Sequence, residues 1–331
     1  MGIENATVIL LAGGFGKRVR HLHPDLPKPL IRVAGRPFID WICGYWAGQG
    51  IRRIIVSLGH LAGVAERHFQ SADWGDVEIL TVREEEPLGT AGAIVHAART
   101  HACGDPFIVA NADSLVFGPV AEAWALIETD PHNTRSEREN APSEPGTQVT
   151  GQASDQKSND ERNQASIRVS EQDSNQASHP KSNQRPKQSK SHEDKLPAAS
   201  PCEGVILGRE VADASRYGSL RTNDRGRLLG FQEKQPGGSE EKQPGKALVN
   251  AGVYLLRKSL LERFPNRTPL SLELDVFPAL LEADADLRVH PVAGDFLDIG
   301  TPQDLQRASR FIERHRAELE FSARLVFRNP Q

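Results

Sequence analysis

The sequence predicts an α/β protein built on a doubly wound, mostly parallel sheet with a second, smaller lobe. Up to about residue 130, short apolar runs rich in Val and Ile alternate with helical stretches. This alternation is typical of βαβ units around a sheet that is buried on both faces. After residue 200, strand-like runs follow one another with fewer helices between them, which favours strands that extend the sheet and build the second lobe.

The individual elements follow from these apolar runs, taken in chain order. Strands are predicted at 7–11, 53–58, 77–82 and 107–110, and helices between them at 38–47, 61–69 and 93–99. The later strands are predicted in GVILGREV (204–211), RLLGFQEK (227–234), LVNAGVYLL (248–256) and LRVHPV (287–292).

The last helix has a clear predicted start. Thr301 stands at the cap, Pro302 at the first helical position and Asp304 where it forms a near capping box. The helix carries one apolar stripe, which we interpret as a packing surface, formed by Leu305, Ala308, Phe311 and Ile312.

A break in composition divides the chain at about residue 131. From 131 to 200 most residues are Ser, Asn, Gln or charged, and Phe, Trp and Tyr are absent. Such a segment cannot bury enough surface to offset an ordering cost of about 1–2 kcal/mol per residue. We expect a disordered insert between the two halves of one catalytic domain, 1–130 and 201–320, with 321–331 as a tail. The insert is either a tolerated surface insertion or an arm for an unknown partner.

The charge balance disfavours polymer and membrane partners. The chain has 331 residues with 40 Lys+Arg against 44 Asp+Glu and no basic run, whereas nucleic acids and anionic lipids are held by clustered cations. The apolar run at 8–12 is too short for a signal peptide or a membrane span. The chain has three cysteines, Cys43, Cys103 and Cys202. Their odd number and the absence of CxxC spacing indicate unreactive thiols in a reducing cytosol. We expect a cytoplasmic protein. The sequence leaves open whether it forms a homo-oligomer.

A glycine-rich turn follows the first predicted strand directly. In AGGFGKRVR, the backbone N–H groups of Gly13, Gly14 and Gly16 can approach phosphate oxygens, and Arg18 adds positive charge. The spacing matches neither a P-loop nor the dinucleotide fingerprint, because Val19 stands where the third glycine belongs. The turn therefore predicts a phosphate site of another kind.

A lysine between two prolines lies shortly after this turn. Pro27 and Pro29 restrict the backbone on either side of Lys28, and we expect them to hold the chain extended. An ammonium held in this way loses less entropy when it meets an anion. After the glycine turn, we interpret Lys28 as a second phosphate-binding group.

The segment LAGGFGKRVRHLHPDLPKPL (11–30) resembles the signature of the sugar-phosphate nucleotidylyltransferases. The resemblance covers nearly everything outside the insert, although the family more often has Gly-Asp where this chain has Ala112-Asp113. Further segments match the family in order: EEEPLGTAGAI (84–94), NADS (111–114), SRYGSL (215–220), FQEK (231–234), VNAGVYLL (249–256) and DIGTPQDL (298–305).

The resemblance implies a Rossmann-like fold of the nucleotide-diphospho-sugar transferase type and a Mg²⁺-dependent reaction of a nucleoside triphosphate with a sugar 1-phosphate. It assigns Asp113 and Asp298 to the metal, and Arg18, Lys28 and Lys234 to the phosphates as catalytic cations. The implied nucleotide-binding residues are Leu11, Ala12, Gly13, Gly14, Gly16, Glu84, Gly89 and Thr90. The implied sugar-phosphate-binding residues are Tyr217, Gly218, Glu233, Lys234, Asn250 and Gly252.

One ambiguity concerns the sugar-phosphate lysine, because EKQPG occurs at 233–237 and again at 241–245. We favour the first copy, since it continues a predicted strand, whereas the second lies in a Gly/Ser-rich stretch.

The subfamily resemblance is greatest to the D-glycero-α-D-manno-heptose 1-phosphate guanylyltransferases, which implies GTP as donor and a product for cell-surface polysaccharide. Two alternatives stay open for the reaction: guanylyl transfer to mannose 1-phosphate, and thymidylyl or uridylyl transfer to a hexose 1-phosphate. A non-catalytic regulatory homologue is a further alternative, although such proteins typically lose one of the charged residues that this chain keeps. An NAD-linked oxidoreductase is disfavoured by Val19.

Overall fold

The structure is a computed structural model that describes residues 2–16, 18–118, 120–128, 201–211, 218–232 and 247–319, all within one compact unit. The predicted insert (131–200) and tail (321–331) lie outside the described residues, as do Tyr217, Glu233 and Lys234. The domain boundaries predicted from the sequence therefore stay a prediction. No helix in the described part of the chain is long and apolar enough to cross a bilayer.

A nine-stranded sheet forms the centre of the unit. Its strands are β1 (Thr7–Ala12), β4 (Arg53–Leu58), β5 (Glu78–Arg83), β6 (Phe107–Asn111), β8 (Gly204–Val211), β9 (Ser219–Thr222), β10 (Leu228–Gln232), β11 (Ala247–Leu256) and β12 (Leu287–Val292). Two small ribbons lie outside it: β2 (Arg32–Val33) with β3 (Arg36–Pro37), and β7 (Ser114–Val116) with β13 (Phe296–Asp298).

The first half of the chain forms the parallel part of this sheet. The strands β5, β4, β1 and β6 lie side by side and run parallel. β11 then pairs antiparallel with β6 and carries β8 and β9 as further antiparallel partners, and β12 pairs parallel with β8. The fold class predicted from the sequence is confirmed, and the later strands extend the same sheet.

Helices cover both faces of the sheet. One face packs against α1 (Phe38–Gly48), α2 (Ala62–Ser71), α4 (Val120–Glu128) and α6 (Pro302–Arg314), and the other against α3 (Gly89–Thr100) and α5 (Phe277–Glu282). Alternate residues of β1 enter the two apolar layers, with Val8 and Leu10 on one side and Ile9 on the other. This arrangement is the doubly wound one, because a strand buried on both faces must be apolar throughout.

The start of the last helix agrees with its predicted cap. Thr301 Oγ1 accepts a hydrogen bond from the Asp304 backbone N–H (3.2 Å) and donates one to the Asp304 carboxylate (2.6 Å). Ala308 and Ile312 are buried in the core, and Leu305 and Phe311 pack against it. The apolar stripe is a packing surface, as predicted.

Candidate active site

The glycine turn packs directly on the ends of the neighbouring parallel strands. Glu84, which follows β5, accepts hydrogen bonds from Ser57 Oγ (3.0 Å) and from the Leu88 N–H (3.2 Å). Its carboxylate lies so close to Gly13 that a Cβ at this position would come 2.4 Å from Glu84 Oε1. A side chain at residue 13 would therefore push the Glu84 carboxylate away from these hydrogen bonds.

Lys28 lies on the other side of the turn, where a Cβ on Gly16 would come 3.1 Å from Lys28 Cβ. The expectation that both prolines hold the chain extended is wrong in part. Pro27 is extended, but a 3-10 turn begins at Lys28 and buries Pro29 and Leu30. The φ of a proline suits both a 3-10 turn and an extended chain. The burial of Pro29 and Leu30 therefore favours the turn.

Asp113 and Asp298 come together at the end of the Lys28 side chain. The Lys28 ammonium lies 2.6 Å from Asp113 Oδ2 and 3.9 Å from Asp298 Oδ1. The pairing of β7 with β13 sets Asp298 opposite Ser114, and the Ile299 N–H donates to the Asp113 carbonyl (3.0 Å). Two segments distant in the chain thus present their carboxylates to one ammonium.

Electrostatics at this pair favour a cation. Burial raises the pKa of Asp298 and the Asp113 carboxylate raises it further, whereas the Lys28 ammonium and a hydrogen bond from the Gly300 N–H (2.5 Å) oppose the rise. The Lys28 side chain is only 11% exposed, and the two carboxylates supply the anionic partners that a buried lysine needs.

The two carboxylates fit a Mg²⁺ ion. Mg²⁺ prefers oxygen ligands and is usually bound through one or two carboxylates together with substrate phosphates and water. Facing carboxylates of which one has a raised pKa are stabilised by a divalent charge between them. Asp113 and Asp298 are thus the residues that would hold the ion.

Gly218, Asn250 and Gly252 meet where β11 departs from regular pairing. The Asn250 N–H donates to the Gly218 carbonyl (2.9 Å), and Asn250 Oδ1 accepts from the Gly252 N–H (3.0 Å). Gly252 has a φ of +73°, and a Cβ there would lie 2.5 Å from Asn111 Nδ2 at the end of β6. These predicted sugar-side residues therefore form one cluster beside a strand of the predicted nucleotide side.

The other predicted nucleotide residues occupy the same edge of the sheet. Leu11 and Ala12 end β1, Gly14 is exposed in the turn, and Arg18 is exposed just after it. Gly89 and Thr90 begin α3. The Thr90 hydroxyl is engaged by the protein itself, since it accepts from the Leu272 N–H (2.7 Å) and donates to Glu273 (3.0 Å).

Sequence reasoning missed three polar residues beside the site: Ser57, Asn111 and Glu273. Ser57 and Asn111 lie at the carboxyl ends of β4 and β6, where polar residues that end apolar strands are a recognisable signal. Glu273 lies in a one-turn π-helix, Leu272–Val276, and nothing in its local sequence distinguishes it from a surface carboxylate.

Comparison with known proteins agrees with this fold and identifies the family of the chain. The sequence model of the nucleotidyl transferase family matches residues 7–133 and 187–315. The chain belongs to this family.

Two curated relatives are mannose-1-phosphate guanylyltransferases. The chain is 26% identical over 311 residues to the Mycobacterium tuberculosis enzyme, covering 93% of this chain and 65% of the relative. It is also 26% identical over 311 residues to the catalytic subunit beta from Drosophila pseudoobscura pseudoobscura, covering 92% of this chain and 63% of the relative. The chain thus spans less than two thirds of the length of these relatives.

Solved structures share the fold at lower identity. HddC from Yersinia pseudotuberculosis complexed with GMP-PN aligns with a TM-score of 0.59 and 23% identity, over 93% of this chain and 99% of HddC. The inositol-1-phosphate CTP transferase from T. maritima aligns with a TM-score of 0.57 and 15% identity, over 95% of this chain and 98% of that structure.

Proposed function

We propose that this protein transfers a nucleotidyl group from a nucleoside triphosphate to a sugar 1-phosphate, and that the pair is GTP and D-glycero-α-D-manno-heptose 1-phosphate. The observation that carries the reaction is the convergence of Asp113 and Asp298 on Lys28 beside the glycine turn. The guanylyltransferase relatives support GTP, and the resemblance of PDLPKP, EEEPLGTAGAI, SRYGSL and DIGTPQDL supports the heptose.

The chemistry requires positioning and charge more than proton transfer. An oxygen of the sugar phosphate attacks the α-phosphorus, the bond from that phosphorus to the bridging oxygen breaks, and pyrophosphate leaves with the electron pair. No general base is needed, because the attacking phosphate oxygen is already deprotonated. The protein must therefore bring two anions together in line and stabilise the leaving charge.

The residues divide this work between them. The glycine turn and Arg18 bind the β- and γ-phosphates, and Lys28 binds the α-phosphate. Lys234 binds the phosphate of the sugar, and Glu233 accepts hydrogen bonds from its hydroxyls. Asp113 and Asp298 would hold Mg²⁺, which when bound would supply positive charge to the phosphates.

Mannose 1-phosphate is the second candidate acceptor, because the curated relatives are named for it.

The same proposal places the reaction in the cytoplasm, since both substrates are phosphorylated metabolites.

A substrate panel tests the proposal. Purified protein is incubated with Mg²⁺, each of GTP, ATP, CTP, UTP and dTTP, and heptose, mannose or glucose 1-phosphate, and released pyrophosphate is measured. We expect the highest kcat/KM with GTP and the heptose. Preference for mannose 1-phosphate would favour the second candidate, and nucleotide binding without turnover of any pair would favour a regulatory homologue.

A further inference from the structure

The carboxylate of Glu273 collects hydrogen bonds from three hydroxyl groups on different segments. Glu273 Oε1 accepts from Tyr254 OH (2.9 Å), and Oε2 accepts from Thr90 Oγ1 (3.0 Å) and Ser271 Oγ (3.1 Å). Tyr254 belongs to β11 and Thr90 to α3, so one half-buried side chain joins the two predicted substrate sides.

The nucleotide-side connection extends beyond this one hydrogen bond. The Leu272 N–H donates to Thr90 Oγ1 (2.7 Å), the Leu270 N–H donates to the Leu88 carbonyl (2.8 Å), and the Leu270 carbonyl accepts from the Ala91 N–H (2.9 Å). The segment that carries Glu273 therefore sets the position of the first turn of α3. That turn begins with Gly89 and Thr90, the residues that the resemblance assigns to the nucleotide.

The sugar-side connection passes through a fully buried tyrosine. Tyr254 is 0% exposed, and its hydroxyl accepts a hydrogen bond from Asn250 Nδ2 (2.8 Å). Asn250 in turn accepts from the Gly252 N–H (3.0 Å), and the register of β11 against β8 shifts between Asn250 and Tyr254. The hydroxyl that Glu273 holds is thus part of the network that shapes this irregular stretch of β11.

We propose that Glu273 is a positioning residue that holds the nucleotide-binding start of α3 and the sugar-binding stretch of β11 at a fixed separation. This inference rests on the proposed function of the two segments. Glu273 acts through Thr90 and Tyr254 and does not touch the reacting atoms. Buried hydrogen-bond networks of this kind are rigid when every member is satisfied.

A carboxylate suits this position better than any other side chain of the same size. It only accepts hydrogen bonds, and here it receives three. The Thr90 hydroxyl accepts a hydrogen bond from the Leu272 N–H, and the Tyr254 hydroxyl accepts one from Asn250. Each hydroxyl therefore has its own proton left to donate to Glu273. An amide in place of the carboxylate turns one acceptor into a donor and breaks one side of the network.

The first test is Glu273→Gln, assayed with the substrate pair that the panel selects and at a temperature well below its unfolding midpoint. Because a hydrogen bond to a charged acceptor is lost, we expect the KM of both substrates to rise about tenfold, with a smaller change in kcat. Glu282→Gln is the matched control, since Glu282 is exposed at the end of α5, and it should keep both KM values.

The second test uses the two partners, so that it does not depend on the folding of one variant. Thr90→Val and Tyr254→Phe each remove one hydroxyl with little change in shape. If Glu273 links the two sides, Thr90→Val raises the KM of the sugar 1-phosphate, and Tyr254→Phe raises the KM of the triphosphate, each by about threefold or more.

The outcomes separate this inference from the proposed function. Wild-type protein that turns over no substrate pair overturns the proposed function and the inference with it. Wild-type turnover with unchanged KM values in folded Glu273→Gln overturns the inference alone. The inference is also overturned if Thr90→Val changes only the KM of the triphosphate and Tyr254→Phe changes only the KM of the sugar 1-phosphate.

Discussion

Lys28 places one positive charge beside two carboxylates that would otherwise repel each other. Its ammonium is shared between Asp113 and Asp298, and the turn that presents it is anchored by the buried Pro29 and Leu30. A side chain fixed in this way loses little rotamer freedom when a phosphate arrives. The same ammonium can therefore stabilise the site and meet the substrate.

The first prediction concerns Asp113, which we propose as a metal ligand. Asp113→Asn should lower Mg²⁺-dependent kcat by about a hundredfold or more, because a charged oxygen ligand becomes a neutral amide. Pyrophosphate release gives the rate, and the circular dichroism spectrum should stay that of the folded wild type.

Asp284→Asn is the matched control for this change. Asp284 is exposed, bonds to Arg227 away from the site and has a positive φ that Asn also tolerates, so its rate should be normal. A wild-type rate in Asp113→Asn would remove Asp113 from the metal site.

The cysteines supply a prediction about pH. Cys43, Cys103 and Cys202 are free and buried, in agreement with the unreactive thiols expected from the sequence. Burial raises the pKa of Cys43 well above its ordinary value and that of Cys202 to about 11. Between pH 9 and 11 the unfolded chain therefore releases thiol protons that the folded chain keeps, so the free energy of unfolding should fall as pH rises. For Cys202 the expected fall is on the order of 1–3 kcal/mol.

Urea unfolding at pH 8 and pH 10 measures this loss. Cys202→Ser, which keeps a small hydrogen-bonding side chain near the Gly204 carbonyl, should lose less stability over the same interval. Rapid labelling of the native thiols by a disulfide reagent at pH 8 would argue against their burial.

At the scale of elements, the long apolar strands and the capped last helix were predictable because their signals are local. β1, β4 and β6 follow continuous apolar runs, and the cap at Thr301 lies within one turn of the residues it serves. The start of α3 was placed too late. Its first turn at Gly89 depends on hydrogen bonds to the Leu270 carbonyl, a partner that no sequence window around residue 89 contains.

The short strands β7 and β13 were missed for a similar reason. Three residues are too few for a periodic signal, yet the pairing of Phe296 with Val116 and of Asp298 with Ser114 brings the second carboxylate to the first. The pair Asp113 and Asp298 was predicted from the family resemblance, and the contact that unites it exists only in the tertiary fold. Glu273 stayed hidden because its partners come from β11 and α3.

At the scale of the whole molecule, the family match leaves out part of the low-complexity stretch, and the predicted division of the chain stays a prediction. The matched residues stop at 133 and resume at 187, within the low-complexity stretch. Deleting residues 134–186 should leave kcat/KM within about twofold of wild type, because the sequence predicts a disordered segment and a change in the length of such a loop costs little closure entropy.

The deletion is checked by pyrophosphate release and by the thermal unfolding midpoint. A deletion of the buried strand 204–211 is the control that should abolish folding. A large loss of activity in a folded 134–186 deletion would assign the insert a role in turnover or in binding a partner.

The ladder between β6 and β11 has a consequence for how substrates enter. Four residue pairs, from Phe107–Leu256 to Ala110–Val253, join the part of the chain before the predicted insert to the part after it, in the middle of one sheet. A hinge motion between these two strands would have to break backbone hydrogen bonds in the core of the sheet. We therefore expect this part of the sheet to keep one shape during turnover, so that any movement that admits substrates takes place in loops at its edge.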